Sequence, residues 1–141
     1  MGRSNGTCKI CKLDTEDISH LLFNCSEINA VWDAVRDKIS VIIEQDIHIN
    51  LEKILFGEYS ETVENQLHSY TLIVNLYIYQ SKWEIWKNRN SVRYGNKTSL
   101  TVNEISNRID ASCKHIFNRY MNSPGNAAIK KRLQVYTQNM V

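Results

Sequence analysis

Four side chains near the N-terminus have the types and the spacing to bind one metal ion. They form the pattern Cys-x2-Cys-x8-His-x4-Cys, with ligands at Cys8, Cys11, His20 and Cys25. A Cys-x2-Cys turn lets both sulfurs reach one zinc ion at about 2.3 Å, and a helical turn or short loop from His20 to Cys25 would bring in the other two ligands. Four protein ligands leave no open coordination position, so we expect one structural Zn²⁺ and no hydrolytic centre.

The remaining cysteine and histidines show no comparable arrangement. Cys113 lies in an apolar helical pattern, where a lone cysteine usually acts as a small buried hydrophobe. His48, His68 and His115 have no nucleophile or carboxylate at the spacing of a catalytic motif. We therefore predict no catalytic residue, and we do not expect the chain to be an enzyme on its own.

A segment in the second half of the chain alternates cationic and aromatic residues. Residues 82–94 read Lys-Trp-Glu-Ile-Trp-Lys-Asn-Arg-Asn-Ser-Val-Arg-Tyr. Such cations could pair with phosphates while exposed rings stack on nucleobases. On a helix we expect Trp83 at the surface and Trp86 in the core. The predicted nucleic-acid contacts are these residues of the segment and of a basic cluster near the C-terminus: Lys82, Trp83, Lys87, Arg89, Arg93, Lys130, Lys131 and Arg132.

The charge distribution favours the same half of the chain. The net charge is +2, but residues 1–79 contain 6 Lys/Arg against 12 Asp/Glu, whereas residues 80–141 contain 11 against 3. A basic half of this kind suits a polyanion, although a solvated helical face is the alternative. Asp14, Glu16 and Asp17 lie between the ligands and argue against the zinc segment as the main phosphate contact.

Length and composition suit one helical domain with a small appendage. The chain has 141 residues, of which 43% are apolar, enough for a core. We expect residues 1–7 to be a tag or linker, residues 8–25 a CCHC zinc knuckle, and residues 26–141 a helical domain packed with the knuckle. Without a membrane-spanning run or a secretory signal, we expect an intracellular and soluble protein, in which cysteines favour metal over disulfides.

Apolar spacing and turn residues predict a mainly α fold, a bundle of about four to five helices after the knuckle. The first helix runs from a cap at Ser26 to about Gln45, with these apolar positions facing the core: Ile28, Val31, Trp32, Val35, Ile39, Ile42 and Ile43. A short second helix starts at Asn50 and stops at Gly57. Its inward positions would be Leu51, Ile54 and Leu55.

The remaining helices are longer or better delimited. A long helix is predicted from about Glu61 to Tyr94, with one stripe of inward positions: Val63, Leu67, Tyr70, Val74, Tyr77, Ser81 and Ile85. Thr101 and Glu104 form a capping box that starts the next helix, which continues through Ile109, Cys113, Ile116 and Tyr120 and ends before the break at Ser123-Pro-Gly125. A last helix covers about Ala127 to Thr137.

The zinc segment also resembles a known family. The runs Cys8-Lys-Ile-Cys11, Asp14-Thr-Glu-Asp17 and His20-Leu-Leu-Phe-Asn-Cys25, followed by Trp32, resemble the zinc-binding segment near the C-terminus of non-LTR (LINE-type) retrotransposon reverse transcriptases. Ile54-Leu-Phe-Gly57 and Ile85-Trp-Lys-Asn-Arg-Asn90 are similar to that family's helical tail. The resemblance covers about residues 8–94.

This resemblance implies a domain that follows the polymerase in a protein that nicks DNA and copies its own RNA from the exposed end. Such a domain would contact template RNA or target DNA, and the resemblance implies a ribonucleoprotein found in the nucleus and cytoplasm. The chain lacks the family's Tyr/Phe-x-Asp-Asp polymerase signature and any recognisable endonuclease motif. Two alternatives stay open: a zinc-stabilised protein-interaction or dimerisation module that docks on a polymerase core or a second copy, and a host protein that keeps only this tail.

Overall fold

The computed structural model describes residues 6–59 and 68–140. Within these ranges the chain is mainly α, with a small N-terminal knuckle followed by a helical bundle, as predicted. No strand occurs among the described residues, and the only sheet-like pairing there is an isolated antiparallel bridge between Thr7 and Thr15. The elements are a π-helical turn at His20–Asn24, then α1 (Ser26–Ile43), α2 (Leu51–Phe56), α3 (Ser69–Tyr94), α4 (Val102–Met121), α5 (Ala127–Leu133) and a 3-10 helix at Gln134–Met140.

Helix α1 supplies the centre of the core and contacts both α3 and α4. All seven positions of its predicted apolar stripe are buried. Burying a side chain of this size stabilises the fold by about 1.5–3 kcal/mol, which compensates for the low helix propensity of the β-branched residues near its end. The helix ends where Glu44 adopts a left-handed conformation with φ 58°. Ser26 is not the cap that we predicted, because Cys25 occupies that position in an extended conformation and Ser26 is the first helical residue.

Helix α2 is a six-residue connector with the predicted ends. The Asn50 side chain accepts a hydrogen bond from the Lys53 amide at 2.9 Å, and Gly57 ends the helix at φ +87°, a value that favours glycine. Ile54 is fully buried, as predicted. Leu55 is 43% exposed, so its predicted inward orientation is wrong. One residue turns a helix by about 100°, and so short a helix buries little beyond a single position.

Helix α3 is the longest element. It begins at Ser69, and the Thr71 amide and hydroxyl both donate to the His68 carbonyl. The predicted stripe is buried at Val74, Tyr77, Ser81 and Ile85 and half-buried at Tyr70; Val63 and Leu67 lie outside the described residues.

Trp86 does not lie in the core as predicted, because its side chain is 42% exposed. It follows the buried Ile85, and its side chain lines a cleft together with Thr15, Asp17 and Ile18 of the knuckle.

Helix α4 begins with the predicted capping box. Glu104 Oε1 accepts from the Thr101 amide at 2.8 Å, and Thr101 Oγ1 accepts from the Glu104 amide at 3.1 Å. Ile109 and Cys113 are buried, and burial raises the pKa of the Cys113 thiol, consistent with the predicted apolar role. Ile116 is 38% exposed.

Two polar contacts fix the bundle at its centre and at its C-terminal end. The buried Tyr77 hydroxyl donates to Asp110 Oδ1 at 2.6 Å, which joins α3 to α4. The chain after α5 tightens into a 3-10 helix at Gln134, so the last α-helix is shorter than predicted. Asn139 Nδ2 donates to the Ile42 carbonyl at 2.9 Å and covers the end of α1.

None of the helices in the described ranges is both long and apolar enough to cross a bilayer.

Candidate metal centre

The four predicted ligands converge on one point. Their ligand atoms all lie within 4.8 Å of one another, and three of the four residues are buried. Cys8 Sγ lies 4.0 Å from Cys25 Sγ, and Cys11 Sγ lies 3.4 Å from His20 Nε2. A tetrahedral ion with metal–sulfur bonds of about 2.3 Å and a metal–nitrogen bond of about 2.0 Å separates two sulfurs by about 3.8 Å, and sulfur from nitrogen by about 3.5 Å. The spacing therefore fits a four-coordinate ion, and the group could hold one.

The first two ligands lie on a tight turn. The Cys8 carbonyl accepts from the Lys12 amide at 2.9 Å, and Lys12 adopts a left-handed conformation with φ 63° to close the turn. Backbone amides point at both sulfurs: Ile10 donates to Cys8 Sγ at 3.4 Å and Leu13 to Cys11 Sγ at 3.5 Å. Such amide donors stabilise thiolates, which are the metal-binding form of cysteine.

The knuckle fold extends two residues before its first ligand. The Thr7–Thr15 bridge pairs the two arms of the turn, and the Gly6 carbonyl accepts from the Glu16 amide at 3.3 Å. Residues 6 and 7, placed in the predicted tag or linker, thus belong to this folded unit, whereas residues 1–5 lie outside the described part of the chain.

The other two ligands flank a π-helical turn. The Cys25 amide donates to the His20 carbonyl five residues earlier, at 3.0 Å, so four intervening residues bring the two ligands together. Asp17 Oδ1 accepts from the His20 amide at 2.7 Å and starts the turn. Two side chains of α1 donate to carbonyls of the turn: Trp32 Nε1 to Leu22 O at 2.6 Å, and Asn29 Nδ2 to Phe23 O at 3.2 Å. Buried Trp32 thereby holds the ligand turn against the core.

Two thiols of the cluster, those of Cys25 and Cys11, have different acidities. Burial raises the pKa of Cys25 to about 12, and the amides of Ile28 and Glu27 at the start of α1 only partly oppose this effect. Burial also acts on Cys11, but the Asp14 and Leu13 amides outweigh it and lower the pKa of Cys11 to about 7. Since a metal ion binds the thiolate, its binding must release the proton of Cys25.

Glu16 connects the knuckle to α3. Its side chain is only 2% exposed, and its carboxylate receives two bonds from Arg89, at 2.6 and 3.3 Å, and one from Arg93 at 2.9 Å. Hydrogen bonding from Arg89, with the positive charges of both arginines, holds the pKa of Glu16 below its usual value. The acidic loop therefore does not present Glu16 to solvent, and this charge does not repel a phosphate in the way that the sequence suggested.

The predicted nucleic-acid contacts occupy different environments. Arg89 and Arg93 are engaged with Glu16, although the Arg89 guanidinium also lies 5.4 Å from the Trp86 ring. Trp83 is 51% exposed, as predicted, and Lys87 Nζ lies 5.5 Å from its ring. The remaining sites are half-buried Lys82 on α3 and three residues on α5, of which Lys130 donates to the Ser123 carbonyl while Lys131 and Arg132 are exposed.

Sequence reasoning missed the residues that hold the ligands in position. Glu16 resembles an ordinary surface acid in the sequence, and only its contact with two arginines more than 70 residues away reveals its role. The bond from Asn29 to the Phe23 carbonyl could not be predicted either, because the spacing of residues alone does not predict a π-helical turn. No protein family model, curated protein or solved structure matches the chain.

Proposed function

We propose that the chain is a nucleic-acid-binding module braced by a structural zinc ion. It would be the C-terminal part of a retrotransposon-type reverse transcriptase, where it contacts template RNA or target DNA during target-primed reverse transcription. The observation that carries this proposal is the outer face of α3, where Trp83 and Trp86 remain exposed beside cationic side chains.

The zinc part of the proposal rests on the donor set. Three thiolates and one imidazole suit zinc, whereas magnesium and calcium prefer oxygen ligands. With all four positions filled by Cys8, Cys11, His20 and Cys25, the ion would act as a brace and not as a Lewis acid for a substrate. Through Glu16 and Arg89 that brace reaches the α3 face.

The exposed tryptophans support the nucleic-acid part of the proposal. A large ring left in water loses the stabilisation of burial, so exposed tryptophans beside cations are typical of a binding surface. Base stacking on an aromatic side chain contributes about 1–3 kcal/mol per base and tolerates any sequence. Lys87, whose side chain is 45% exposed, lies on the same helical face as Trp83 and could pair with the adjoining phosphate.

The retrotransposon part rests on the sequence resemblance and on one structural detail. Trp32 belongs to the pattern shared with that family, and here its indole N–H secures the turn between His20 and Cys25. The same four residues and tryptophan therefore act as one unit. The polymerase core of a parent protein would be a further partner.

Binding to labelled single-stranded RNA and DNA tests the proposal directly. Fluorescence anisotropy at about 50 and 200 mM salt should give affinity that falls steeply with salt, because phosphate pairing releases counterions. Trp83→Ala should weaken binding about fivefold or more. Tyr59→Ala is the control, since Tyr59 is an aromatic residue that is 70% exposed but follows α2 and lies outside α3. Absence of binding to either nucleic acid at the lower salt would refute the proposal.

A protein-interaction module is the second candidate. An almost entirely apolar groove of about 270 Å³ lies open between α3, α4 and α5, and its walls include Leu72, Leu76, Ile116, Tyr120 and Ile129. Light scattering over a range of concentrations tests self-association through this groove. A dimer that Ile116→Lys dissociates would favour this candidate, and a monomer at every concentration would count against dimerisation.

A further inference from the structure

A cleft between the end of α3 and the start of α4 gathers three cations that the sequence does not group. It has a volume of about 290 Å³ and is lined by Lys87 of α3, Lys97 of the connecting loop and Arg108 of α4. The rest of the lining consists of the exposed hydroxyl-bearing residues Ser91 and Thr98 together with Asn88, Leu100 and the carboxylate of Glu84. Lysine, arginine and hydroxyl donors are the groups that proteins use to hold phosphate oxygens.

The loop that carries Lys97 is fixed against α3 before any ligand arrives. Asn88 is buried, and its side chain donates to Ser99 Oγ at 3.1 Å while accepting from the Leu100 amide at 3.0 Å. One turn further on, the Ser91 carbonyl accepts from the amides of Gly95 at 3.0 Å and Lys97 at 3.1 Å. Because the backbone is already ordered, binding there does not have to order the loop.

Two of the three cleft cations, Lys97 and Arg108, differ from the arginines that bind Glu16, because neither is held by a carboxylate in an ion pair among the described residues. Within residues 6–59 and 68–140, neither Lys97 nor Arg108 forms an ion pair with a carboxylate within 4.0 Å. Lys87 pairs with Glu84 at 3.0 Å. The other nearby carboxylate, Glu104, is held by the capping box, and Arg108 contributes to the lowering of its pKa.

We propose that this cleft binds a backbone phosphate of single-stranded nucleic acid through Lys87, Lys97 and Arg108, while the adjoining base stacks on Trp83. The proposal rests on the proposed function and gives it a location. Lys87 joins the two halves of the site, because it lines the cleft and its Nζ lies 5.5 Å from the Trp83 ring. The exposed ring distinguishes this site from one for a free phosphate or a lipid headgroup, neither of which offers a base to stack.

The test compares two double variants that remove the same charge. Lys97→Ala/Arg108→Ala removes the two unpaired cations of the cleft, whereas Arg36→Ala/Arg119→Ala removes two cations from other surfaces of α1 and α4. The probe is a fluorescein-labelled single-stranded RNA of about 12 nucleotides, with the matching DNA in parallel. Circular dichroism checks that both variants keep the fold, which is expected because none of the four residues is buried.

The cleft variant should bind about tenfold or more weakly than the wild type, because charge-assisted bonds to phosphate are lost. The slope of log K against log salt should become shallower by about 0.7 for each phosphate contact removed. The control variant should stay within about twofold of the wild type, as expected for cations that make no specific contact.

Three results would overturn the proposal. If the cleft variant bound with wild-type affinity, or if both variants were weakened equally, the protein would still bind nucleic acid. The binding site would then lie outside the cleft. No binding by the wild-type protein would refute the proposed function and this site with it. The wild-type protein could instead bind phosphatidylserine vesicles but not the oligonucleotides. If the cleft variant lost that vesicle binding, the cleft would be a membrane-binding site.

Discussion

Replacing Glu16 with glutamine should detach the knuckle from α3. Glutamine keeps the shape of the side chain but removes the charge that Arg89 and Arg93 share at 2.6 and 2.9 Å. Breaking a fully buried pair costs about 3–5 kcal/mol, because the remaining charge is left without a partner. The side chains of Arg89 and Arg93 are 12% and 20% exposed, so water can partly replace the carboxylate. We therefore expect the free energy of unfolding to fall by less than this, by about 2–3 kcal/mol.

Urea unfolding of the zinc-loaded protein, followed by circular dichroism at pH 7, measures this loss. Asp33→Asn is the matched control, since Asp33 pairs with Arg36 at 3.4 Å where the two side chains are 61% and 41% exposed. An exposed pair contributes about 0–1 kcal/mol, so the control should unfold near the wild-type midpoint. A Glu16→Gln protein within about 0.5 kcal/mol of the wild type would refute a stabilising role for the ion pair.

The pH dependence of the stability difference between the wild type and Glu16→Gln gives an independent check. The pKa of Glu16 is lower in the folded protein than the value of about 4.3 expected in the unfolded chain. The contribution of the Glu16 charge to the free energy of unfolding is therefore complete above the pKa of the unfolded state. It disappears as the pH falls through the pKa of the folded state. The gap between wild type and Glu16→Gln should be widest near neutral pH and close in acid. A gap that stays constant in acid would contradict this assignment.

Three further predictions concern the ligands and the caps. Cys25→Ser should abolish one-to-one zinc binding in a competition titration, because it removes one of the four ligands, and it should not shorten α1, because Cys25 makes no side-chain capping bond and serine is a good N-cap. Trp32→Phe should lose the bond to Leu22 O, reduce stability by about 1–2 kcal/mol and weaken zinc affinity about tenfold; unchanged affinity would separate the bond from the metal site. Thr101→Ala should lower the free energy of unfolding by about 1 kcal/mol through loss of the capping box, whereas Ser26→Ala, inside its helix, should change it by less than about 0.5 kcal/mol.

Local chemistry made the ligand group and most helix boundaries predictable. The spacing of Cys8, Cys11, His20 and Cys25 could be read directly, because each pair is close in the chain and only two short turns are needed to join them. The same holds for the capping box at Thr101, whose bonds connect residues three apart.

Long-range contacts explain what the sequence could not predict. Glu16 and Arg89 are 73 residues apart in the chain. The burial of Glu16 and its ion pair with Arg89 therefore cannot be predicted from the local sequence pattern. The sequence predicts Trp86 in the core because it adjoins Ile85, but whether a position beside a buried stripe is covered depends on which neighbours pack there. The cleft cations Lys97 and Arg108 belong to different elements and come together only because Asn88 folds the loop back.

Cys25 is followed directly by the first residue of α1, with no linker between the ligand and the helix. One inserted residue at this junction would rotate the helix by about 100° relative to the ligand and turn its buried stripe away from the core. The spacing between the knuckle and the bundle therefore cannot change, nor can a flexible hinge join either to another partner, without losing the arrangement of the four ligands or the core. Recombination would have to transfer them together, as a single inherited piece.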